Sequence, residues 1–371
     1  MNHVISSPFN PRFGKRPESF VGRADIVDGL IKEYYDKNAL ERVTIISGVR
    51  GSGKTSLLSD ISDILEQSSD WIVVNVATTE RLLDNLIGIL EYKMHEKFGS
   101  NLPSVEGVTV GAPFFSVKFG KAQRDVPASF YPELLSIMSE LHKKNMKVIF
   151  IIDEVNSTEE MREFVSTYQL LIREEFDIVL LMAGLPHYVD GILNDKVLTF
   201  LRRSYQIFLP FIEPYILKLE YERAFKSAGR TFSDEALELA YLSTGGYPYL
   251  FQLIGFHLWR TDEETIDRPL VEMAIEQSKG MLYQNVYSII YSELSQVEQE
   301  FLRAMSKGDK GVEIQEIRKQ MKKSPGYVNN YREKLIKRGV ITPASHGTVR
   351  FSLPYFRDFI MEQQKKGVIY Q

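Results

Sequence analysis

Residues 43–55 read VTIISGVRGSGKT, an apolar run that ends in a glycine-rich turn followed by a lysine and a threonine. Val43, Ile45 and Ile46 indicate a short buried strand, and residues 48–55 match the phosphate-binding pattern GxxxxGK[ST]. Apolar residues then recur at helical spacing: Leu57, Leu58, Ile61 and Leu65. This order of strand, loop and helix predicts a nucleoside triphosphate site. The alternative is an ordinary glycine turn between a strand and a helix.

The chemistry of this loop suits a phosphate chain. Its glycines let backbone N–H groups approach the phosphates at the positive end of a helix, and Lys54 adds a positive charge. The Thr55 hydroxyl is a suitable ligand for Mg²⁺. Seven residues are therefore the predicted phosphate contacts: Gly48, Gly51, Ser52, Gly53, Lys54, Thr55 and Ser56.

A second apolar segment supplies the acidic half of the site. Residues 147–154 read KVIFIIDE, five consecutive apolar residues followed by two carboxylates. Asp153 at the end of the strand can hold Mg²⁺, and Glu154 can orient or deprotonate an attacking water. Such a strand also occurs by chance, but downstream of a phosphate loop it indicates the partner of that loop.

The composition fits a globular protein of two or three domains. The chain has 371 residues, 44% of them hydrophobic and 25% charged. The absence of cysteine excludes disulfides, thiolate catalysis and cysteine-ligated zinc. No apolar run reaches the roughly 20 residues that cross a bilayer, and the amino terminus lacks an apolar signal core. We therefore expect a cytoplasmic protein without a membrane partner.

Buried strand patterns alternate with amphipathic helices in residues 1–210. This alternation predicts an α/β fold with a parallel five-stranded sheet between helices and the ligand at the carboxyl ends of the strands. Residues 103–127 interrupt the rhythm with a predicted inserted hairpin. Residues 211–292 show helical patterns alone, which predicts an all-helical lid domain. Residues 293–371 show three helices and then two short strands, the order of a winged helix-turn-helix domain.

Several motifs together resemble those of the AAA+ ATPases. Beside GVRGSGKT and KVIFIIDE, the segments are NPRFGKRPESFVGRAD, AGLP, FLRRS, GGYPYLFQLIG and YREKLIKRGVI. They are similar to those of origin-recognition ATPases, of signal-transduction (STAND) ATPases and of a group of prokaryotic ATP-binding proteins. The resemblance covers nearly the whole chain except residues 103–127, and it implies ATP or ADP and Mg²⁺ as cofactors.

The resemblance also implies roles for individual residues. Asn75 occupies the position of a residue that restrains the catalytic glutamate, and Arg202 or Arg203 lies in the arginine-finger region. A strand-end turn residue is the alternative for Asn75, and surface pairing with Glu213 or Glu222 is the alternative for the arginines. Four residues near the adenine and two in the lid complete the implied nucleotide site: Phe20, Val21, Gly22, Arg23, Tyr247 and Pro248.

Two departures from the AAA+ pattern indicate slow hydrolysis. The fourth strand ends in Ala183-Gly184, where many of these ATPases have a polar residue that positions water. The lid has Pro248 where an arginine would touch the γ-phosphate. An arginine finger is worth about 10³ to 10⁵ in rate. If Arg202 or Arg203 acts on a neighbouring subunit, ATP turnover depends on assembly, and the sequence predicts at most a weak ATPase.

Positive charge is concentrated in the carboxyl-terminal segment. Residues 294–371 carry 15 Lys/Arg and 8 Asp/Glu, a net +7, whereas the rest of the chain carries −11. This contrast favours double-stranded DNA as a partner of the winged helix. A protein-contact module with a solvated basic face is the alternative. The candidate donors to phosphates and bases are Lys322, Lys323, Asn329, Asn330, Arg332, Lys334, Lys337, Arg338 and Arg350.

These observations favour a nucleotide-controlled switch that acts on DNA. The second hypothesis is a regulatory or scaffold ATPase, in signalling or defence, whose winged helix and 103–127 hairpin bind a protein partner or a second copy of the chain. A helicase loader at a replication origin is a third hypothesis, and it rests on analogy of fold alone.

Overall fold

The architecture is taken from a computed structural model that describes residues 6–12, 22–99, 130–308 and 311–369. The predicted hairpin at 103–127 lies outside the described residues, as do Phe20 and Val21. Everything below refers to the described ranges.

The first part of the chain forms a parallel five-stranded sheet with the order β2-β3-β4-β1-β5. Alternate residues of the central strand enter different cores, since Ile45 packs in one apolar cluster and Ile46 in the cluster on the opposite face. The predicted α/β sheet between helices is therefore confirmed. Its strands are β1 (Val43–Ser47), β2 (Trp71–Ala77), β3 (Lys147–Asp153), β4 (Ile178–Gly184) and β5 (Tyr205–Phe208).

Six helices cover the two faces of this sheet. Five of them correspond to predicted helical patterns, but α6 is new, and it begins at Pro186 directly after β4. Proline is favoured at the first position of a helix because its fixed φ suits the turn and its missing N–H has no partner there. The helices are α1 (Ala24–Tyr34), α2 (Lys54–Glu66), α3 (Leu82–Phe98), α4 (Phe130–Lys143), α5 (Glu159–Arg173) and α6 (Pro186–Leu193).

The lid region is helical with one small addition. Two-residue strands, β6 (Thr231–Phe232) and β7 (Thr265–Ile266), pair in parallel and join the two loops that contain them. A π-helical turn, Tyr283–Tyr287, connects the last two helices. The helices are α7 (Pro214–Ser227), α8 (Asp234–Ser243), α9 (Pro248–Trp259), α10 (Arg268–Leu282) and α11 (Ser288–Ser292).

The carboxyl-terminal region contains four helices and a three-stranded antiparallel sheet. The sequence pattern predicted two of its strands; Val312–Glu313 adds a third that pairs with the outer side of the hairpin, giving the order β8-β10-β9. The final helix, α15, was also not predicted. The elements are α12 (Gln296–Met305), β8 (Val312–Glu313), α13 (Ile314–Met321), α14 (Pro325–Lys337), β9 (Ile341–Ser345), β10 (Thr348–Phe351) and α15 (Phe356–Ile369).

The lid and the carboxyl-terminal region share one hydrophobic core. A single cluster of buried residues runs from Leu217 in α7 through Tyr287 to Phe356 in α15, and it also includes Val49 of the glycine-rich loop. The sheet has separate clusters on its two faces. The lid and the carboxyl-terminal region are thus packed as one unit that reaches the loop after β1.

Candidate nucleotide-binding site

The loop between β1 and α2 has the backbone shape that a phosphate requires. Gly51 and Gly53 have φ values of +77° and +91°, in the left-handed region that glycine adopts without strain. Gly53 is also the cap residue before α2, which begins at Lys54. The first N–H groups of a helix have no partner within the helix, so this loop presents free donors at a positive helix end.

Lys54 lies folded against the loop. Its Nζ donates to the carbonyl oxygens of Gly48 and Val49 at 2.8 and 3.1 Å. Burial disfavours the ammonium ion and lowers the pKa of Lys54 to about 8, although the Asp153 carboxylate opposes this shift. Two neutral carbonyl groups are weak partners for a buried cation. An anion bound in the loop would favour the charged form of Lys54.

The two predicted metal ligands lie in direct contact. Thr55 at the start of α2 donates its hydroxyl to Asp153 Oδ2 at 2.6 Å. β4 separates β1 from β3 in the sheet, but the strands are parallel, so their carboxyl ends meet at the same edge. A hydroxyl and a carboxylate oxygen are a pair that suits Mg²⁺ coordination beside a phosphate.

Glu154 stands in an unusual backbone conformation beside this pair. Its φ is +55°, in the left-handed region, and its side chain is exposed in the pocket. The Glu154 N–H donates to Asp153 Oδ1 at 2.9 Å, and the next residue, Val155, donates its N–H to the Ala183 carbonyl at 2.9 Å. A left-handed glutamate is costly, and these contacts hold it where it can act on a bound group.

The end of β4 has no room for a polar side chain. A Cβ at Gly184 would lie 2.8 Å from Val155 Cγ2 and 3.2 Å from the Val155 carbonyl oxygen. Contacts below 3.0 Å require a neighbour to move. The packing against Val155 thus requires glycine at position 184, where many AAA+ ATPases have a polar residue.

These residues line a pocket of about 390 Å³ between the sheet, the lid and the amino-terminal segment. Four residues that line it each have one buried polar atom without a hydrogen-bond partner among the described residues: Arg50 Nε, Ser52 Oγ, Thr78 Oγ1 and Asn156 Oδ1. Unpartnered buried polar atoms are rare in folded proteins and indicate that a ligand or water satisfies them. The residues present therefore fit a nucleotide with a divalent cation.

The lid contacts the loop through Tyr247. Its hydroxyl donates to the Arg50 carbonyl at 2.5 Å, and a Cβ at Gly51 would lie 2.3 Å from that hydroxyl oxygen. The ring is fully buried and lies against the loop backbone, while the neighbouring Pro248 lines the pocket. Tyr247 thus supports the loop from behind, a role that the sequence did not suggest.

The other residues of the core that the sequence placed in the nucleotide site do not all lie at the pocket. Gly22 contacts Ile212, and Arg23 donates to the Pro210 carbonyl while lining the pocket. Asn75 donates to Ser62 Oγ of α2 at 2.8 Å. Neither of the two arginines before β5 lines the nucleotide pocket of its own chain.

Those two arginines lie toward the opposite edge of the sheet. Arg202 donates its Nε–H to the Leu193 carbonyl at 2.8 Å, rather than to Glu213 or Glu222. Arg203 lines a second cavity together with Val43 and Ile178, the first residues of β1 and β4. Since the strands are parallel, this is the edge away from the phosphate loop.

The predicted DNA donors divide into exposed and engaged side chains. Arg332 is half-buried, and Arg338 donates to Glu298 Oε1 at 3.0 Å. Lys337, at the end of α14, donates to Asp190 of α6 at 3.1 Å. Asn329 is exposed and donates to Glu333. The others are exposed: Lys322, Lys323, Asn330, Lys334 and Arg350.

The carboxyl-terminal region also touches the phosphate loop. A Cβ at Gly339 would lie 2.5 Å from Val49 Cγ1, and Arg50 forms an ion pair with Glu293 at 3.5 Å. His187 of α6 lines the same interface as Arg338, where burial and the arginine charge lower the pKa of His187 to about 4. Sequence reasoning missed this interface because its two sides are far apart in the chain.

Comparison with known proteins places this geometry among known folds. The Walker-type ATPase PABY2304 of Pyrococcus abyssi superposes with a TM-score of 0.68 at 16% identity, over 95% of this chain and 99% of that one. The ORC2 protein of Aeropyrum pernix superposes with a TM-score of 0.64 at 15% identity, over 96% of this chain and 98% of that one. Cdc6p from Pyrobaculum aerophilum superposes with a TM-score of 0.51 at 14% identity, over 96% of this chain and 97% of that one.

The chain has the AAA+ fold. The sheet order, the phosphate loop after β1 and the helical carboxyl-terminal region all belong to this architecture. A family model described as a domain of unknown function (DUF8462) matches residues 284–360. No curated protein sequence matches the chain. Among the described residues, no helix is both long and apolar enough to span a membrane.

Proposed function

We propose that this AAA+ protein binds ATP with Mg²⁺ and acts as a slow nucleotide-dependent switch that controls DNA binding by its carboxyl-terminal region. The observation that carries the proposal is the position of the phosphate loop. Tyr247 of the lid, Glu293 after α11 and Gly339 after α14 all contact residues 49–51. A ligand that reshapes this loop acts on all three elements at once.

The contacts of the pocket support ATP binding. Lys54 and the N–H groups at the start of α2 suit the phosphates, and Thr55 and Asp153 suit the metal ion. A Mg²⁺ ion held by Thr55 and Asp153 would neutralise part of the charge of the phosphates. The ORC2 structure of Aeropyrum pernix contains ADPNP and ADP, and this agrees with an adenine nucleotide as the ligand of the present chain.

The same contacts support slow hydrolysis. Glu154 is exposed beside the metal ligands as a candidate general base, but Gly184 leaves no space for a residue that would position water. Pro248 lines the pocket, and the resemblance to AAA+ ATPases implies that it stands where a sensor arginine would lie. Arg202 and Arg203 lie away from this pocket, so they would act only on the nucleotide of a neighbouring copy.

Helix α6 supports coupling between nucleotide and carboxyl-terminal region. Leu185, before its first residue, and Tyr188 line the nucleotide pocket, whereas Asp190 holds Lys337 of α14. A short helix thus joins the wall of the pocket to the proposed DNA-binding helix. The shared core of the lid and the carboxyl-terminal region implies that they move together.

We further propose that residues 293–371 form a winged helix domain, after an ATPase core at 1–210 and a lid at 211–292. α14 is the candidate recognition helix, and the β9–β10 hairpin is the wing. In the present arrangement Lys337 and Arg338 are engaged by Asp190 and Glu298. This arrangement corresponds to a state with reduced DNA affinity, and movement of α6 frees Lys337.

Two titrations test the two halves of the proposal. ATP affinity, measured by calorimetry, should be lost in Lys54→Ala; equal affinities for the two proteins would refute nucleotide binding by this loop. DNA affinity should fall steeply with salt and fall again in Lys334→Glu. The control is Lys226→Glu, the same charge change on an exposed lid residue. Insensitivity to salt and to Lys334→Glu would exclude DNA, and a protein co-purifying under those conditions would favour the scaffold hypothesis.

A further inference from the structure

One side chain of the glycine-rich loop, that of Arg50, belongs to the walls of two neighbouring cavities. It lines the nucleotide pocket together with Lys54, and it also lines the smaller cavity that Arg338 of the carboxyl-terminal region lines. Glu293 accompanies Arg50 in both walls. Arg50 and Glu293 therefore lie where the nucleotide pocket meets the carboxyl-terminal region.

The two side chains are only loosely paired. Arg50 Nη2 lies 3.5 Å from Glu293 Oε1, whereas charge-assisted hydrogen bonds of this kind are about 2.7–2.9 Å long. The Nε–H of the same guanidinium is buried and has no acceptor among the described residues. A guanidinium carries five N–H donors, and a buried donor without a partner costs free energy. Arg50 thus has donors to spare for an anion.

Glu293 itself is fixed by the backbone at the end of the lid. Its N–H donates to the Ile289 carbonyl of α11 at 3.2 Å. The next residue, Leu294, is 5% exposed and belongs to the core that the lid and the carboxyl-terminal region share. Ser295 then caps α12 with its side chain. The contact between Arg50 and Glu293 therefore ties the phosphate loop to this shared unit.

Charge and geometry favour phosphates over Glu293 as the partner of Arg50. Burial lowers the pKa of Lys54, and the charge of Arg50 lowers it further. Two like charges in one site are unfavourable, and an anion bound near both relieves the repulsion. Phosphate oxygens accept guanidinium N–H groups in pairs. Because the Nε–H is buried in the observed position, the guanidinium can donate to a phosphate with this edge only if it turns away from Glu293.

We infer that Arg50 is a further phosphate-binding residue of this site and that bound phosphates and Glu293 compete for its guanidinium. The inference rests on the proposed nucleotide binding and adds how an occupied pocket loosens one tie to the carboxyl-terminal unit. The coupling is reciprocal: a nucleotide that binds Arg50 weakens the contact with Glu293, and this contact weakens nucleotide binding by the same factor.

Calorimetric titration of single variants with Mg-ATP tests the competition. In Glu293→Gln the affinity should rise about 1.5- to 5-fold, the range for one partly exposed ion pair. In Arg50→Gln it should fall about tenfold or more, because hydrogen bonds from a charged donor to the phosphates are lost. Arg50→Lys keeps the charge without the paired donors and should give an intermediate affinity. Magnesium tripolyphosphate should repeat this order, since the effect lies at the phosphates.

Glu272→Gln is the matched control for the loss of a carboxylate. Glu272 is an exposed lid residue that pairs with Arg268 at 2.8 Å and does not line the nucleotide pocket. Its replacement should leave the affinity for both ligands unchanged. A rise equal to that of Glu293→Gln would mean that any reduction of negative charge favours the ligand, and would overturn the inference.

A double variant separates competition from simple repulsion between Glu293 and the phosphates. With Arg50→Gln already present, Glu293→Gln should leave the Mg-ATP affinity unchanged, because no guanidinium remains to be shared. The same gain with and without Arg50 would show that Glu293 only repels the ligand. A lower affinity in Glu293→Gln alone would show that Glu293 holds Arg50 in place for the phosphates. Either result would overturn the competition.

The outcomes also separate this inference from the proposed function. Failure of the wild type to bind either ligand would refute nucleotide binding itself. Wild-type binding together with unchanged affinities in Arg50→Gln and Glu293→Gln would refute the role of Arg50 alone.

Discussion

Lys54 should make nucleotide affinity depend on pH in a range where ATP itself does not titrate. Burial lowers the pKa of Lys54 to about 8. A bound phosphate chain favours the protonated lysine and raises that pKa, so binding takes up a proton when the pH exceeds about 8. Affinity should therefore fall as the pH rises.

The size of the effect follows from the protonated fraction. With a pKa of about 8, about nine-tenths of Lys54 is charged at pH 7 and about one-tenth at pH 9. ATP affinity should thus fall about tenfold over this interval, equivalent to about 1.4 kcal/mol. Phosphate groups have their second pKa near 6, so their own ionisation is nearly complete throughout.

Isothermal titration calorimetry with Mg-ATP at several pH values measures this dependence. Buffers of different ionisation enthalpy report the proton uptake independently. Lys54→Arg is the matched control, because its guanidinium stays charged across the range and its affinity should vary little. A wild-type affinity that is flat from pH 7 to 9.5, with no proton uptake, would refute the account of Lys54.

Three other substitutions test contacts around the loop. Gly51→Ala should destabilise the protein to chemical denaturation by about 1–3 kcal/mol more than Gly347→Ala, since both glycines have positive φ but only at Gly51 would the new Cβ meet Tyr247. His187 has a lowered folded-state pKa, so its contribution to stability is present above pH 6.5 and is lost as the pH falls toward 4. In His187→Gln the free energy of unfolding should therefore vary less with pH over this interval. Asp190→Asn removes an exposed ion pair worth about 0.2–1 kcal/mol and should raise DNA affinity by about 1.5- to 5-fold in fluorescence anisotropy titrations. Equal stabilities of the two glycine variants would contradict the Tyr247 contact. An unchanged loss of stability between pH 6.5 and 4 in His187→Gln, or an unchanged DNA affinity in Asp190→Asn, would contradict the other two contacts.

The central sheet and the glycine-rich loop before α2 were predictable because their signals are local. A strand buried on both faces needs consecutive apolar residues, as at Ile45 and Ile46, and a phosphate loop needs glycines and a lysine at fixed spacing. The proximity of Thr55 and Asp153 followed from the parallel direction of the strands. None of these inferences required knowledge of how distant segments pack.

The lid side of the site was not predictable for the same physical reason. Gly339 approaches Val49, and Phe9 docks against Gly255, only because distant segments pack together. Helix α6 has eight residues, too few to show a clear apolar period; the only signal for it was Pro186. β8 has two residues and depends on pairing with β10.

The most direct test of the switch measures the position of the carboxyl-terminal region. The chain has no cysteine, so Tyr92→Cys on α3 and Asn330→Cys on α14 would carry a unique pair of spin labels at exposed positions. Pulsed electron paramagnetic resonance then gives the distance between α3 of the core and α14, the proposed recognition helix. We predict that saturating Mg-ATP shifts this distance distribution, and that the shift is absent in Lys54→Ala. An unchanged distribution in a protein that demonstrably binds ATP would contradict the switch.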